Sequence, residues 1–290
     1  MSRQAMDIHS LPTADDIAFF RTNGYWLSPK LFSDPELAEL RVHHAAVVAG
    51  EYETKRPPLS REPEPGDTTR LVQVNNAYWT DATIARHVLS VQIGRIATRL
   101  LGVKGIRLWH DQLLLKPPQS GKAGNIGWHQ DRGYWSCLDR DDQITAWIAL
   151  EDVNEENGCM EVVPGSHTWG LLGEDHFYQQ DVEQQTARIE QKTGKSFTTE
   201  PCILPAGCVS FHHSLTIHGS RPNVSQRPRI SIAVHLIIDG TRYRAGTPSE
   251  DHTSNTLRRP KDGDPYTGPY FPVLFREDEP NANAWMTAEP

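Results

Sequence analysis

The chain has 290 residues and carries 29 Lys and Arg against 37 Asp and Glu, a formal charge of −8. That balance excludes a general nucleic-acid or anionic-membrane binder, whose affinity needs clustered positive charge. No apolar run approaches the about 20 residues that a membrane-spanning helix requires.

An apolar share of 37% and a charged share of 23% are ordinary for a globular chain, and 21 prolines with 21 glycines favour a turn-rich β protein over a helical bundle. The opening residues MSRQAMDIHSLPTADD hold no apolar signal core, and the final Ala288-Glu289-Pro290 is not a peroxisomal address. A cytoplasmic protein is therefore expected. Cys137, Cys159, Cys202 and Cys208 form no CxxC pair, so free thiols packed as small hydrophobes are expected.

Along the chain, Thr13 followed by Asp16 predicts a helix start, with Ile17, Phe19 and Phe20 as its apolar face and Asn23-Gly24 as its stop. Ser33-Asp34-Pro35-Glu36 predicts a second start, continued by Leu37, Leu40 and Val47. Residues 51–67, EYETKRPPLSREPEPGD, read as a polar loop suited to a mobile lid. Thr80-Asp81 opens a third helix, whose face runs through Ile84, Val88, Val91, Ile93, Ile96 and Leu100 to a stop at Gly102.

The texture then changes. Residues 106–116, 143–150, 159–163, 208–213 and 229–238 read as strands separated by Gly, Pro and Asn, the pattern of a β-sandwich or barrel. Residues 170–200 look like a partly helical insertion. The polar, proline-rich chain beyond Gly240 looks like an extended tail on the body. The expectation is a single domain over 1–290, with a helical support layer (1–104), a β core (105–240) and a C-terminal tail (241–290).

Within GWHQDRGYW (residues 127–135), His129 and Asp131 stand two apart. On a strand they would share one face, with Gln130 opposite. Alone this is weak, because such a pair is expected by chance in a chain with 13 histidines. The second part is FHHSLTIHGSRPNVSQRPRI (residues 211–230). His218 would lie where the chain leaves a strand, and Arg229 would open the next one. A buried arginine needs a carboxylate or phosphate partner. Two histidines and one aspartate on a β core make a facial triad with open positions for non-haem iron, unlike a closed structural zinc site.

Trp128-His129-Gln130-Asp131, then Trp147, then NGCMEVVPGSH (157–167), then HGSRPNVSQRPR (218–229) together resemble the phytanoyl-CoA dioxygenase family of Fe(II)/2-oxoglutarate oxygenases. The resemblance covers residues 105–238 well and the tail hardly at all. It implies a mainly β fold with a double-stranded β-helix (jelly-roll, cupin-like) core. It puts the metal ligands on His129, Asp131 and His218. The partner of the distal 2-oxoglutarate carboxylate falls on Arg229, eleven residues after His218. Trp147, Ser220 and Gln130 match positions at or beside the cosubstrate. The implied cofactors are Fe(II), 2-oxoglutarate and O2, with ascorbate as a candidate reductant. The implied reaction is oxidative decarboxylation to succinate and CO2 coupled to hydroxylation of an unactivated C–H bond. Asp131 disfavours halogenation, since related halogenases carry a small residue there.

Other residues stay open. Gln112 shares strand parity with His110 and Leu114 and is the chosen member of that row for cosubstrate contact; Arg70 and Gln73 are further entrance candidates. Tyr134 and Trp135 would shape the substrate mouth or pack under a loop. His212 and His213 compete with His218 as ligand, and the turn motif after His218 decides for His218; His213 would face the pocket or sit in the core. His110 reads as structural, and Asn157-Gly158 and Pro164-Gly165 read as turns. Arg242, Arg244, Arg258, Arg259 and Lys261 read as solvated surface, or as a site for an anionic substrate such as a CoA thioester. The expected partner is a small-molecule substrate, with no nucleic acid or membrane, and monomer and homodimer are equally open. The rivals are a cupin-like metalloenzyme working without 2-oxoglutarate, desaturation or cyclisation at the same iron, and a non-catalytic binding protein on the same fold.

Overall fold

The computed structural model describes residues 11–173 and 181–279, apart from the side chains of residues 122 and 123. The first helix, α1 (Ala14–Asn23), starts at a reciprocal cap. The Thr13 hydroxyl accepts from the Asp16 N–H (3.2 Å), and the Asp16 carboxylate accepts from the Thr13 N–H (2.8 Å). Gly24 ends it in the left-handed region at φ 78°. Helix α2 (Asp34–Ala49) has the same device, with Glu36 accepting from the Ser33 N–H (2.7 Å). Leu37, Leu40 and Val47 are buried as expected; Phe20 is buried too, but Phe19 is 43% exposed and lies against Tyr25 instead.

The expected third helix is two, α3 (Ala82–Val88) and α4 (Val91–Leu101). Ser90 breaks it, because its side chain accepts from the Ile93 N–H and so starts a new helix. Two four-residue turns complete the short helices used below, α5 (Asp131–Tyr134) and α7 (Thr253–Thr256), and α6 (Val182–Thr193) lies in the polar insertion.

Twelve strands form two antiparallel sheets among the described residues: β1 (Tyr25–Leu27), β2 (Ser60–Glu62), β3 (Val72–Asn75), β4 (Gly105–Lys116), β5 (Ile126–His129), β6 (Ile144–Ala149), β7 (Met160–Val162), β8 (Glu200–Pro201), β9 (Val209–His213), β10 (His218–Ser220), β11 (Arg229–Ile238) and β12 (Val273–Arg276). The major sheet runs β1-β9-β6-β11-β4-β3-β2, with β12 on the far end of β4. The minor sheet runs β5-β10-β7-β8. This is the double-stranded β-helix.

Strand parity divides the major sheet. Ile144, Ala146, Ile148, Val209, Phe211, Ile232, Val234 and Leu236 all join one core with Leu37, Leu40, Ile84, Ile93 and Ile96 of the helices. The residues between them therefore point toward the minor sheet. The helical layer is what fixes this register, since a one-residue slip would bring Thr145, Ser210 and Ser231 into the apolar seam.

Three strands lie in the part expected to be helical. The stretch read as a loop and lid contains β2, and Arg61 pins it by donating to the carbonyls of Val48 (2.9 Å), Pro63 (3.0 Å) and Val47 (3.3 Å). The tail contributes β12 and the buried Tyr266 and Phe271, so it is part of the body. Alternation is hard to read in strands of three or four residues, which explains why these were not expected. No described helix is long and apolar enough to cross a membrane.

Asp111 lies on the helical side of β4, fully buried, with its Oδ1 accepting from the Tyr78 N–H (3.3 Å). Burial pushes its carboxyl up to about 7. Because the folded pKa is raised, the folded state keeps a proton that the unfolded chain loses, and stability falls as pH rises from about 4 to about 7. Asp111→Asn should therefore gain stability relative to the native chain between pH 5 and pH 8, on the order of 1–3 kcal/mol. Urea melts at the two pH values check this; an unchanged difference would show that the carboxylate is compensated when ionised.

Candidate metal centre

The two histidines face each other across one rung of the minor sheet, where β5 pairs with β10 in the register His129↔His218. Their ring centroids are 4.1 Å apart. The strands approach closely because residue 219 is glycine; a Cβ there would stand 2.8 Å from the Ile126 carbonyl oxygen and 2.9 Å from the Trp128 ring. Strand β5 ends at His129, so the expected strand geometry through Asp131 does not hold. Asp131 instead opens α5, and that turn swings its carboxylate back to the histidines: Oδ1 is 3.6 Å from His218 Nε2 and 3.8 Å from His129 Nε2.

The ring tautomers suit a metal. His129 Nδ1 lies 2.8 Å from the Gly127 carbonyl and His218 Nδ1 lies 3.0 Å from the Thr216 carbonyl. A carbonyl only accepts, so both Nδ1 atoms carry the proton and both Nε2 lone pairs are turned toward Asp131. Burial holds both rings below the usual histidine range, hence neutral near pH 7. Burial alone would raise Asp131, but the adjoining His218 and the His212 hydrogen bond outweigh it and hold the carboxyl well below its usual range. One ligand atom from each of the three groups lies within 4.8 Å of the others. Two neutral imidazoles and one carboxylate fit a divalent iron with positions to spare.

Behind Asp131 is a second layer that sequence reading missed. Its Oδ2 accepts from Thr145 Oγ1 (2.6 Å) and His212 Nε2 (3.3 Å). With its own proton spent on Asp131, Thr145 accepts from His235 Nδ1 (2.9 Å), and His235 Nε2 reaches the Gln112 amide (3.3 Å). His212 thus orients a ligand rather than competing to be one. Parity could have found both: His212 shares its face with Ser210, and His235 shares its face with Arg229.

One cavity runs from the triad between the two sheets to Arg229, lined also by Gln112, Thr145, Trp147, Met160 and Ser220. Arg229 is 2% exposed and stands 5.2 Å from the Trp147 ring centroid. It donates through Nη1 to the carbonyl of Gly158, while its Nε has no partner among the described residues. Gly158 is held at φ 71°, where a Cβ would meet the Arg221 carbonyl oxygen at 2.6 Å, so the Asn157-Gly158 turn does more than reverse the chain. Burial lowers Arg229 to about 10, leaving it charged.

Two expected pocket residues lie elsewhere. Gln130 turns away from the cavity; its amide donates to the carbonyls of Leu215 (2.7 Å) and Gly170 (2.9 Å) and accepts from the Leu172 N–H (2.8 Å). Its role is to staple a loop beside the ligands. His213 has the wrong parity: it points to the opposite face from His212, with its ring 5.5 Å from His167 and its Nδ1 accepting from the Leu215 N–H. Arg70 is exposed and paired with Asp67.

A second cavity opens on the other side of the triad, lined by Gln73, Asn75, His110, Gln112, Tyr134, Trp135, His235, His252 and Thr253 besides His129 and Asp131. His110 faces it, with its Nε2 unpartnered among the described residues. His252 comes from the tail. Its Nδ1 accepts from the Ser254 N–H (3.2 Å), and burial with His235 nearby lowers it to about 3, so its Nε2 carries the proton. The basic residues of the tail are not in this lining. Arg242 and Arg258 donate to the carbonyls of Gly263 and Pro265 and pin the tail's own turns, and Arg244 donates to the carbonyl of Ser136 and ties the tail to the segment after α5.

The family profile of phytanoyl-CoA dioxygenase (PhyH) matches residues 20–231. The chain belongs to this family. It is 25% identical over 248 residues to the human peroxisomal phytanoyl-CoA dioxygenase, covering 80% of this chain and 70% of that one. It is 31% identical over 212 residues to a probable alpha-ketoglutarate-dependent hypophosphite dioxygenase of Stutzerimonas stutzeri, covering 70% of each. Among solved structures, the epimerase SnoN in complex with Fe3+, alpha ketoglutarate and nogalamycin RO superposes with a TM-score of 0.71 at 25% identity, over 90% of this chain and 97% of that one.

Removing an outer partner of a metal-bound carboxylate costs about 10–100-fold in metal affinity. Thr145→Val should weaken anaerobic Fe(II) binding by about that factor while leaving the melting temperature of the metal-free protein within a few degrees. Calorimetric titration checks it, and unchanged affinity would show that His212 alone suffices to hold Asp131.

Proposed function

We propose that this chain is a non-haem Fe(II)- and 2-oxoglutarate-dependent oxygenase that hydroxylates a small organic substrate and releases succinate and CO2. His129, Asp131 and His218 would hold the iron. Arg229 would receive the distal carboxylate of 2-oxoglutarate, with Trp147, Ser220 and Gln112 along the cosubstrate's length. The observation that carries this reading is Arg229, buried at the end of a cavity that begins at the triad, with its Nε unused. Among the described residues no carboxylate forms a salt bridge with it. Glu151, whose field reaches it, accepts instead from the Ile230 N–H (2.9 Å). A buried guanidinium without an anion is costly, and a dicarboxylate anchored at the triad would supply one. A cupin-like reaction without 2-oxoglutarate would leave that charge uncompensated.

Iron bound here would supply the activation of O2 at the expense of the oxo acid. The protein's own part is to fix the ligands through the Nδ1 and Thr145 hydrogen bonds, to set the cosubstrate's register through Arg229, and to keep water out between the sheets. The substrate would enter from the second cavity. Among the described residues its lining contains no Leu, Ile, Val or Met and no Lys or Arg. The portion of the substrate that approaches the iron would meet hydrogen-bonding groups and aromatic faces rather than aliphatic side chains, with the His252 Nε2–H and the Gln73 and Gln112 amides as partners and Tyr134 and Trp135 as flat walls. The four cysteines are all free and buried, which suits the reducing cytoplasm.

The test is succinate release from 2-oxoglutarate that depends on Fe(II) and stops with a chelator or with His129→Ala. Arg229→Ala should raise the Kd of 2-oxoglutarate by about 100-fold or more, the loss of a buried charge-assisted pair; turnover without 2-oxoglutarate would sink the assignment. Phytanoyl-CoA, used as an aliphatic probe, should not stimulate succinate release above the substrate-free rate. Its hydroxylation would show that the polar wall does not select the substrate.

A further inference from the structure

Lys116, the last residue of β4, is fully buried. It stands directly across the ladder from Arg229, so two cationic side chains leave adjacent strands on the same side. Lys116 Nζ donates to Ser220 Oγ (2.6 Å) and to the carbonyl of Arg221. Among the described residues no carboxylate forms a salt bridge with it. Glu161, whose field reaches Lys116, is paired with Arg221 at 3.0 Å. Like charges side by side away from water are unfavourable, and a fold that needed only packing here could use Leu or Met.

We propose that Lys116 is a positioning residue for the distal carboxylate of 2-oxoglutarate, acting through Ser220 and beside Arg229. By donating to Ser220 Oγ it occupies a lone pair of the hydroxyl and leaves the Ser220 O–H to donate into the cavity, next to the Arg229 guanidinium. The hydroxyl, which could otherwise turn either way, becomes a donor aimed at an anion. Arg229 supplies the charge at this end and the oriented Ser220 hydroxyl a second donor beside it, so this end of the cavity selects a carboxylate and not merely any polar group. Burial, and then the Arg229 charge, hold the Lys116 ammonium well below its usual range. Even as the neutral amine it has two N–H groups for the two acceptors that meet them, and an arriving carboxylate would favour the charged form.

The inference rests on the 2-oxoglutarate reading, and binding experiments separate the two. The native protein, loaded with Mn(II) under anaerobic conditions, is titrated with 2-oxoglutarate and with pyruvate, which has the same oxo-acid head but no distal carboxylate. Lys116→Met and Ser220→Ala are each expected to weaken 2-oxoglutarate binding by about ten-fold or more, and the double variant by no more than the worse single one, because the two act as one unit. Pyruvate and Mn(II) affinities should stay within about two-fold. Lys116→Gln, which keeps an N–H donor without the charge, should recover part of the loss. Independent, multiplying losses in the double variant, or an equal loss for pyruvate, would overturn the proposal. If Lys116→Met does not fold, Ser220→Ala decides alone: unchanged 2-oxoglutarate affinity overturns it. Failure of the native protein to bind 2-oxoglutarate would instead sink the oxygenase reading itself.

Discussion

One rung of β ladder, between His129 on β5 and His218 on β10, sets the separation on which the site depends. The rung brings two imidazoles to the same edge of the same sheet, and two backbone carbonyls, of Gly127 and Thr216, decide which nitrogen of each ring carries the proton. The third donor comes from a different kind of element, the turn that opens α5. Main-chain geometry therefore sets where all three donors start, side chains of the major sheet hold the Asp131 carboxylate, and Gly219 is the residue that lets the strands come close enough. The major sheet faces this rung with the polar half of its alternation because the other half is committed to the helices. The apolar core thus acts at a distance, fixing the register of the side chains that orient and surround the ligands.

Much of this was legible in the sequence. Long strands such as β4 and β11 show their period over ten residues or more, and helix starts at Thr13 and Ser33 carry their caps in plain view. The triad residues and Arg229 were legible through motif order, and the structure gathers them along one cavity. What was not legible follows a physical pattern. The resemblance alone draws Gln130 toward the cosubstrate, whereas strand alternation sets it opposite the ligands, as the structure has it, and the same alternation separates His213 from His212. Thr145, His212 and His235 form a hydrogen-bonded chain whose members are far apart in sequence, so no local spacing announces it. Lys116 sits before Pro117-Pro118, where it reads as an ordinary strand end at the surface.

The distribution of charge in the interior also has an energetic meaning. Burial opposes ionisation of Arg229 and Lys116, and nothing among the described residues salt-bridges either of them. Such a cavity costs stability when it holds only water, and the cost is recovered when an anion enters. Ligand binding to the folded state alone then contributes to stability by mass action. A protein of this construction is expected to tighten markedly in the presence of its cosubstrate, since the ligand completes an electrostatic pair that the chain leaves half made.

The position of His252 has a separate consequence. The family match ends at residue 231, yet the ring that faces the second cavity arrives on a segment some twenty residues further on, anchored by α7 and by β12 on the back of β4. The tail is built into the body through β12 and through Tyr266 and Phe271, which pack on Trp109 of β4. Through His252, a substitution in that segment can reshape the second cavity without touching any residue of the triad.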